Sequence, residues 1–314
     1  MSATPVWMGE AVQASPPTAP RGWRALSDRQ RGWILAASLL ALLAAVAVVL
    51  PWLAPYDPAA IKLSARLRPP VWEARGAWTN VLGTDNLGRD VLSRILHGAR
   101  LSILIGAAVV AVSATFGVLV GLVAGFAGGR VDAALMRWVD VHVAFPGLLL
   151  SLVILVILGP GPGTVILALA LNGWMVYARQ IRSVVLSVRQ LPYIESAEMA
   201  GARAGRILLR HILPNLAAPL ITLMVLEFAR VVLAEAALSF LGVGVQPPAV
   251  SWGLDVANGR NYLTSAWWLA TFPGLSIALT VLIVNVAASR LRLALDPRER
   301  EKDFARRLIA KVRR

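Results

Sequence analysis

The 314-residue chain contains no cysteine, only three histidines, and charge on just 15% of its residues. The absence of cysteine excludes disulfides and thiolate metal sites. His97, His142 and His211 stand far apart, and none belongs to a metal-binding H-E-x-x-H pattern. No G-x-S-x-G nucleophile elbow occurs either, so no catalytic constellation is visible. The glycine-rich run Gly159-Pro160-Gly161-Pro162-Gly163 lacks a following Lys-Ser or Lys-Thr pair. It is therefore a turn and not a phosphate loop. No cofactor is expected in this chain, and no resident metal. Soluble domains carry about 25% charged residues, so this composition excludes an ordinary soluble fold.

Apolar sequence takes the place of charge. Hydrophobic residues make up 57% of the chain, and the mean hydropathy is +0.67. Several apolar runs approach or exceed the ~20 residues that cross a bilayer. The expected fold class is all-α, a polytopic membrane protein with six transmembrane helices. The net charge of +14 gathers between the apolar runs and at the C-terminus. No compact domain carries that charge, so a nucleic-acid partner is not expected.

Taken in order, residues 1–31 are rich in Pro, Ser and Ala and read as a disordered N-terminal tail. Residues 32–298 form the six-span domain. The first span runs from Gly32 to Ala54, and a long polar segment from Pro55 to Arg100 follows. Within that segment Leu87, Val91 and Ile95, with Leu92 and Leu96, repeat at helical spacing, which predicts a short interfacial helix before the next span. Asp85, Arg89, Asp90 and Arg94 beside it read as a salt-bridged elbow. The second span runs from Leu101 to Phe126. Gly117, Gly121 and Gly125 fall four apart there and line one face for close helix contact. The third builds from Leu135 and is fully apolar from Val143 to Leu158. The fourth runs from Thr164 to about Ala178 and extends toward Arg182, and the fifth runs from Ala217 to Leu241. A loop through Trp252 and Gly253 leads to Trp267 and Trp268, read as an interfacial anchor, and to the sixth span, Trp268 to Ala288. Residues 299–314 form a basic tail whose Phe304, Leu308, Ile309 and Val312 share one side of a helix; it reads either as an amphipathic helix on anionic lipid or as a solvated basic tail.

A polar island, residues 192–215, separates the fourth and fifth apolar runs. Pro192 suits the first turn of a helix, and Glu195 and Glu198 sit where the helix dipole favours negative charge. Ala197, Ala200 and Gly201 leave one face nearly bare, open to close approach by another protein. Gly201 is the expected helix end, and Pro214 is expected to break the chain again before the fifth span. Lys and Arg placement puts both termini and this island on the cytoplasmic side.

Ionisable residues inside spans are costly and therefore informative. The fifth span holds Glu227, Arg230 and Glu235. Glu227 and Arg230 are three apart and can pair on one face. All three are candidates for a polar translocation path. An ion-driven transporter usually carries more such groups or helices broken at midspan. Energy is therefore expected to enter from a separate polypeptide. A secondary transporter and a non-transporting membrane scaffold are the other classes open to this composition.

The island resembles the cytoplasmic "EAA" coupling loop of ABC-importer permeases: Glu195, Ser196 and Ala197, then Ala200-Gly201, then Ile212-Leu213-Pro214. Residues Gly83 to Ser102 resemble the G-T-D-x-x-G-R-D segment of the C-type permease of dipeptide and oligopeptide importers. Glu235 to Gly242, Pro247-Pro248, Ser251-Trp252-Gly253, Phe272-Pro273-Gly274 and Leu295 to Arg298 continue the likeness in the same order. The chain departs from the family at Ala288, Ser289 and Leu293. The resemblance implies a bacterial inner-membrane subunit paired with a B-type permease. It further implies two ATPase subunits that bind ATP and Mg, and an extracytoplasmic solute-binding protein. Peptides would pass between the two permeases, with Glu195, Ser196, Ala197, Ala200, Gly201, Ile212, Leu213 and Pro214 meeting the ATPase. Relatives in the family also carry nickel, metallophores or glutathione.

Overall fold

A computed structural model describes residues 28–295. Residues 1–27 of the tail expected at 1–31, the tail expected at 299–314 with its amphipathic face, and Asp296 to Arg298 lie outside the described residues. Within them the chain is helical and no strand forms; the single bridge joins Thr84 and Asp90. The helices are α1 (Asp28–Val49), α2 (Val91–Ala127), α3 (Gly129–Val143), α4 (Gly147–Leu158) and α5 (Pro162–Arg189). They continue as α6 (Pro192–Met199), α7 (Ala204–Ile207), α8 (Leu213–Phe240), α9 (Trp252–Gly259) and α10 (Trp268–Leu295).

Four stretches are long and apolar enough to cross a membrane: Gly32–Leu53, Val91–Ala127, Ala204–Phe240 and Trp268–Leu295. A fifth arises if the bent pair α3 and α4 is one span. The expected third span is thus not one straight helix. Its halves meet at 80°, because Pro146 is extended at the N-cap of α4 and a residue before proline avoids the helical region. α5 falls outside the set because Asn172, Gly173, Tyr177 and Arg179 dilute its apolar content.

The α2–α5 contact is the tightest in the bundle, as the glycine spacing predicts. A Cβ on Gly117 would meet the Trp174 carbonyl at 2.2 Å, and one on Gly121 the Ala178 carbonyl at 2.5 Å. On Gly125 it would meet the Val185 Cβ at 2.8 Å. α1 packs on α10 through Ala36, Leu43, Ala287 and Leu291, with Val225 and Ala229 of α8 closing the cluster.

Several local expectations are corrected. The first helix begins at Asp28 inside the expected tail. No separate interfacial helix forms over Leu87 to Leu96, because α2 runs unbroken for 37 residues from Val91. Asp90 starts it by accepting from the Ser93 N–H at 2.8 Å. The loop through Trp252 and Gly253 is the helix α9, capped by Ser251. Trp268 is buried, not an interfacial anchor, and its Nε1 donates to the Thr84 carbonyl at 3.1 Å. Trp267 remains partly exposed and donates to Glu73 at 2.9 Å.

The elbow is charged as expected. Arg89 Nε donates to Asp85 Oδ2 at 2.6 Å. Arg94 reaches across the fold and donates through Nε to Asp255 Oδ1 of α9 at 2.9 Å. Burial pushes the Asp255 carboxyl above its usual range, and the Arg94 guanidinium pulls against that shift.

A knob on α5 and α8, and a polar cleft between them

The polar island folds as a knob. α6 starts at Pro192 and stops at Met199, with Gly201 at φ +79°. The Ala202 N–H bonds back to the Ala197 carbonyl at 3.0 Å, the hydrogen bond of a Schellman ending that requires a left-handed residue at Gly201. Beneath the knob lies an apolar seat. Ile194, Ile207, Ile212 and Leu216 pack against Ile181, Val185 and Val188 of α5. Above it, Glu195, Ser196, Ala200, Gly201, Leu213 and Pro214 are exposed, and Ala197 is half-buried. Met199 at the tip is 83% exposed. The structure thus brings seven of the eight island residues to or near the surface and places Ile212 inside.

The break expected at Pro214 does not occur. The helix continues from Ala204 to Phe240 through a wider turn at Leu208–Ile212, where the Leu213 N–H bonds to the Leu208 carbonyl. This five-residue spacing relieves the clash a proline ring makes with the carbonyl four residues back.

The same end of α5 is tied down by charge. Arg182 Nη2 donates to Asp132 Oδ2 at 2.6 Å, and Arg179 Nη2 to Asp140 Oδ1 at 2.6 Å. Arg189 Nη1 donates to the Phe126 carbonyl at 2.8 Å. That carbonyl lies in the last turn of α2, where helix carbonyls lack intrahelical donors.

A second feature lies farther along α8. A cleft of about 490 Å³ opens between α4, α5 and α8. Glu227 and Arg230 line it and form an ion pair at 2.8 Å. Glu227 is 8% exposed, while the Arg230 side chain is 69% exposed. Ser151 and Asn172 face them from α4 and α5; Asn172 Nδ2 donates to Ser151 Oγ at 2.7 Å. Glu235 is not part of this group. It is buried elsewhere, accepting from Ser239 Oγ at 2.9 Å and lying against Ser102 and Ser251. Eight residues advance a helix by ~800°, about 80° beyond two full turns, so Glu235 leaves the Glu227 face.

The family described as binding-protein-dependent transport system inner membrane component matches residues 117–301. The di/tripeptide transport system permease protein DppC of Pseudomonas aeruginosa (strain UCBPP-PA14) is 44% identical over 252 residues, covering 80% of this chain and 83% of that protein. The chain belongs to this family. Two proteins of Escherichia coli (strain K12) are also similar. The dipeptide transport system permease protein DppC is 43% identical over 270 residues, 86% of this chain and 90% of its own length. The probable D,D-dipeptide transport system permease protein DdpC is 40% identical over 274 residues, 85% and 90% of the two chains.

This permease therefore carries both features inside the matched range. Its knob residues were legible as a motif. Asn172 and Ser151 were missed, although each is a polar residue inside an apolar run, which is the available signal. Asp132, Asp140 and Asp255 were missed as ion-pair partners.

Proposed function

We propose that this chain is the pore-forming subunit of an ATP-driven importer of dipeptides and oligopeptides. In this reading it crosses the bacterial inner membrane six times, with the α3–α4 pair and α5 each counted as a span and both termini cytoplasmic. It pairs with a B-type permease, receives peptide from an extracytoplasmic binding protein, and takes its energy from two ATPase subunits that bind ATP and Mg. The peptide class follows from the names of the relatives.

The observation that carries this reading is the seating of the knob. α6 is joined directly to α5 and, through α7, to α8. Its Ile194 is buried with Ile207 and Ile212 against α5. A push on the exposed face is therefore transmitted into packed side chains, which move together because such interiors yield little. α5 and α8 are the helices that present Asn172, Glu227 and Arg230 to the cleft. Displacing the knob would thus change the shape of the cleft, as alternating access requires.

Gly201 supplies the test. A Cβ there meets nothing within 4 Å, so a side chain harms the fold only through the positive φ, at a cost of about 1 to 2 kcal/mol. Gly201→Ala adds that strain without bulk, whereas Gly201→Glu adds bulk and charge at the docking face. In proteoliposomes holding the whole complex, Gly201→Ala is expected to retain most ATP-dependent uptake. Gly201→Glu is expected to abolish it and to release the ATPase on purification, with membrane insertion intact. Normal uptake by Gly201→Glu, or vigorous uptake without any ATPase, overturns the reading.

A further inference from the structure

We propose that the Glu227–Arg230 pair is a transit site for zwitterions, exchanging its own ion pair for the ammonium and carboxylate of one passing molecule. The inference rests on the reading of the chain as a peptide permease and adds where, and by which groups, the peptide is held.

Glu227 and Arg230 are the ionisable residues lining the cleft among the described residues; its other lining residues are neutral. The two charges cancel. A lone cation drawn to Glu227 strips it from Arg230 and leaves the guanidinium unmatched. A lone anion drawn to Arg230 leaves Glu227 unmatched, in a largely buried place where an unpaired charge is costly. A molecule carrying both charges leaves neither alone. The ammonium takes the carboxylate as the guanidinium takes the ligand's carboxylate, in the bidentate geometry that arginine favours.

The two partners are built for such an exchange. Glu227 is the fixed half, held among buried side chains, while Arg230 is the mobile half, with most of its side chain exposed. Asn172 lines the cleft beside the pair, held in place by donating to Ser151 Oγ at 2.7 Å and to the Ala168 carbonyl at 2.9 Å. Because the protein pair re-forms behind the departing molecule, binding at this point stays weak, as a path requires.

The test uses the complete complex with its binding protein, reconstituted in proteoliposomes. Three solutes are compared: Ala-Ala, Ala-Ala amide, which lacks the carboxylate, and N-acetyl-Ala-Ala, which lacks the ammonium. For each solute the readout is the ratio of ATP-dependent uptake by variant and wild type, so that selection by the unchanged binding protein cancels. Charge-assisted hydrogen bonds set the expected scale, about tenfold or more. Arg230→Gln is expected to lower uptake of Ala-Ala and N-acetyl-Ala-Ala by that factor and to alter Ala-Ala amide by less than about twofold. Glu227→Gln is expected to lower Ala-Ala and Ala-Ala amide while sparing N-acetyl-Ala-Ala. Equal losses for all three solutes, no loss for any, or release of the second permease from the purified variants overturns the proposal. A wild-type complex that imports none of the three with ATP overturns the parent reading instead.

Discussion

Arg94 and Asp255 show how much one side chain carries in a bundle that has few charges. Asp255 is buried in α9, and Arg94 is its ion-pair partner. Arg94→Leu strands a buried carboxylate, which costs about 3 to 5 kcal/mol. Arg94→Leu combined with Asp255→Leu removes both charges and is expected to recover most of that loss. Thermal unfolding of the purified protein in detergent distinguishes the two, and equal midpoints for the single and double variants would rule out an obligatory pair. Tyr177 makes the opposite case. Its hydroxyl is buried and has no hydrogen-bond partner among the described residues. A stranded hydroxyl of this kind costs about 1 to 3 kcal/mol, so Tyr177→Phe is expected to raise the unfolding midpoint; a fall shows that the hydroxyl is satisfied. Arg94 was legible as an elbow charge, yet its partner lies 161 residues away. Composition and spacing report neighbours along the chain, and they carry no information about a contact made by folding. The same limit hid Asp132 from Arg182.

At the scale of elements, close packing was easier to read than straightness. Gly117, Gly121 and Gly125 mark one face whatever the partner, and α5 occupies it. Gly121→Leu places a side chain where the Ala178 carbonyl lies 2.5 Å from the first added atom. The helices must separate, and such overpacking typically costs about 1 to 3 kcal/mol. Gly163→Ala in the first turn of α5 meets open space and serves as the control. Expression level and unfolding midpoint are expected to fall for Gly121→Leu and hold for Gly163→Ala. Equal behaviour of the two would remove the seam as a determinant of the fold. The continuous apolar run from Val143 to Leu158 concealed the bend at Pro146, because hydropathy records burial and not direction. The periodicity around Leu87 to Leu96 likewise fits a short helix or the start of a long one. The helix runs on through Gly98, where a Cβ would meet the Trp252 ring of α9 at 3.1 Å, a contact that spacing along the chain does not report.

The whole molecule turns on which side each connection faces, and the absence of cysteine makes that directly measurable. Each single-cysteine variant of this chain carries one thiol and no background. Trp78, in the segment between α1 and α2, is 83% exposed, as is Met199 at the tip of the knob. Pro160, between α4 and α5, is also exposed. From residue 78 to residue 199 the chain passes through α2, the α3–α4 pair and α5. If the bent pair and α5 both cross, three crossings separate the two ends. Trp78→Cys and Pro160→Cys then react with a membrane-impermeant maleimide from outside the cell, and Met199→Cys reacts only in inverted vesicles. If the bent pair enters and leaves on one side, Pro160→Cys becomes reactive from the inside. If the pair crosses and α5 does not, Met199→Cys joins the outer set, and the knob faces away from any cytoplasmic ATPase. The positive charge of the Pro55 to Asp90 segment, with Lys62, Arg66 and Arg75 exposed, runs against the usual preference of basic loops for the inside. The expected labelling therefore requires the charge around the knob and its neighbouring turns to outweigh that segment. Inward-facing Trp78 and outward-facing Met199 would invert the molecule and remove the mechanism with it.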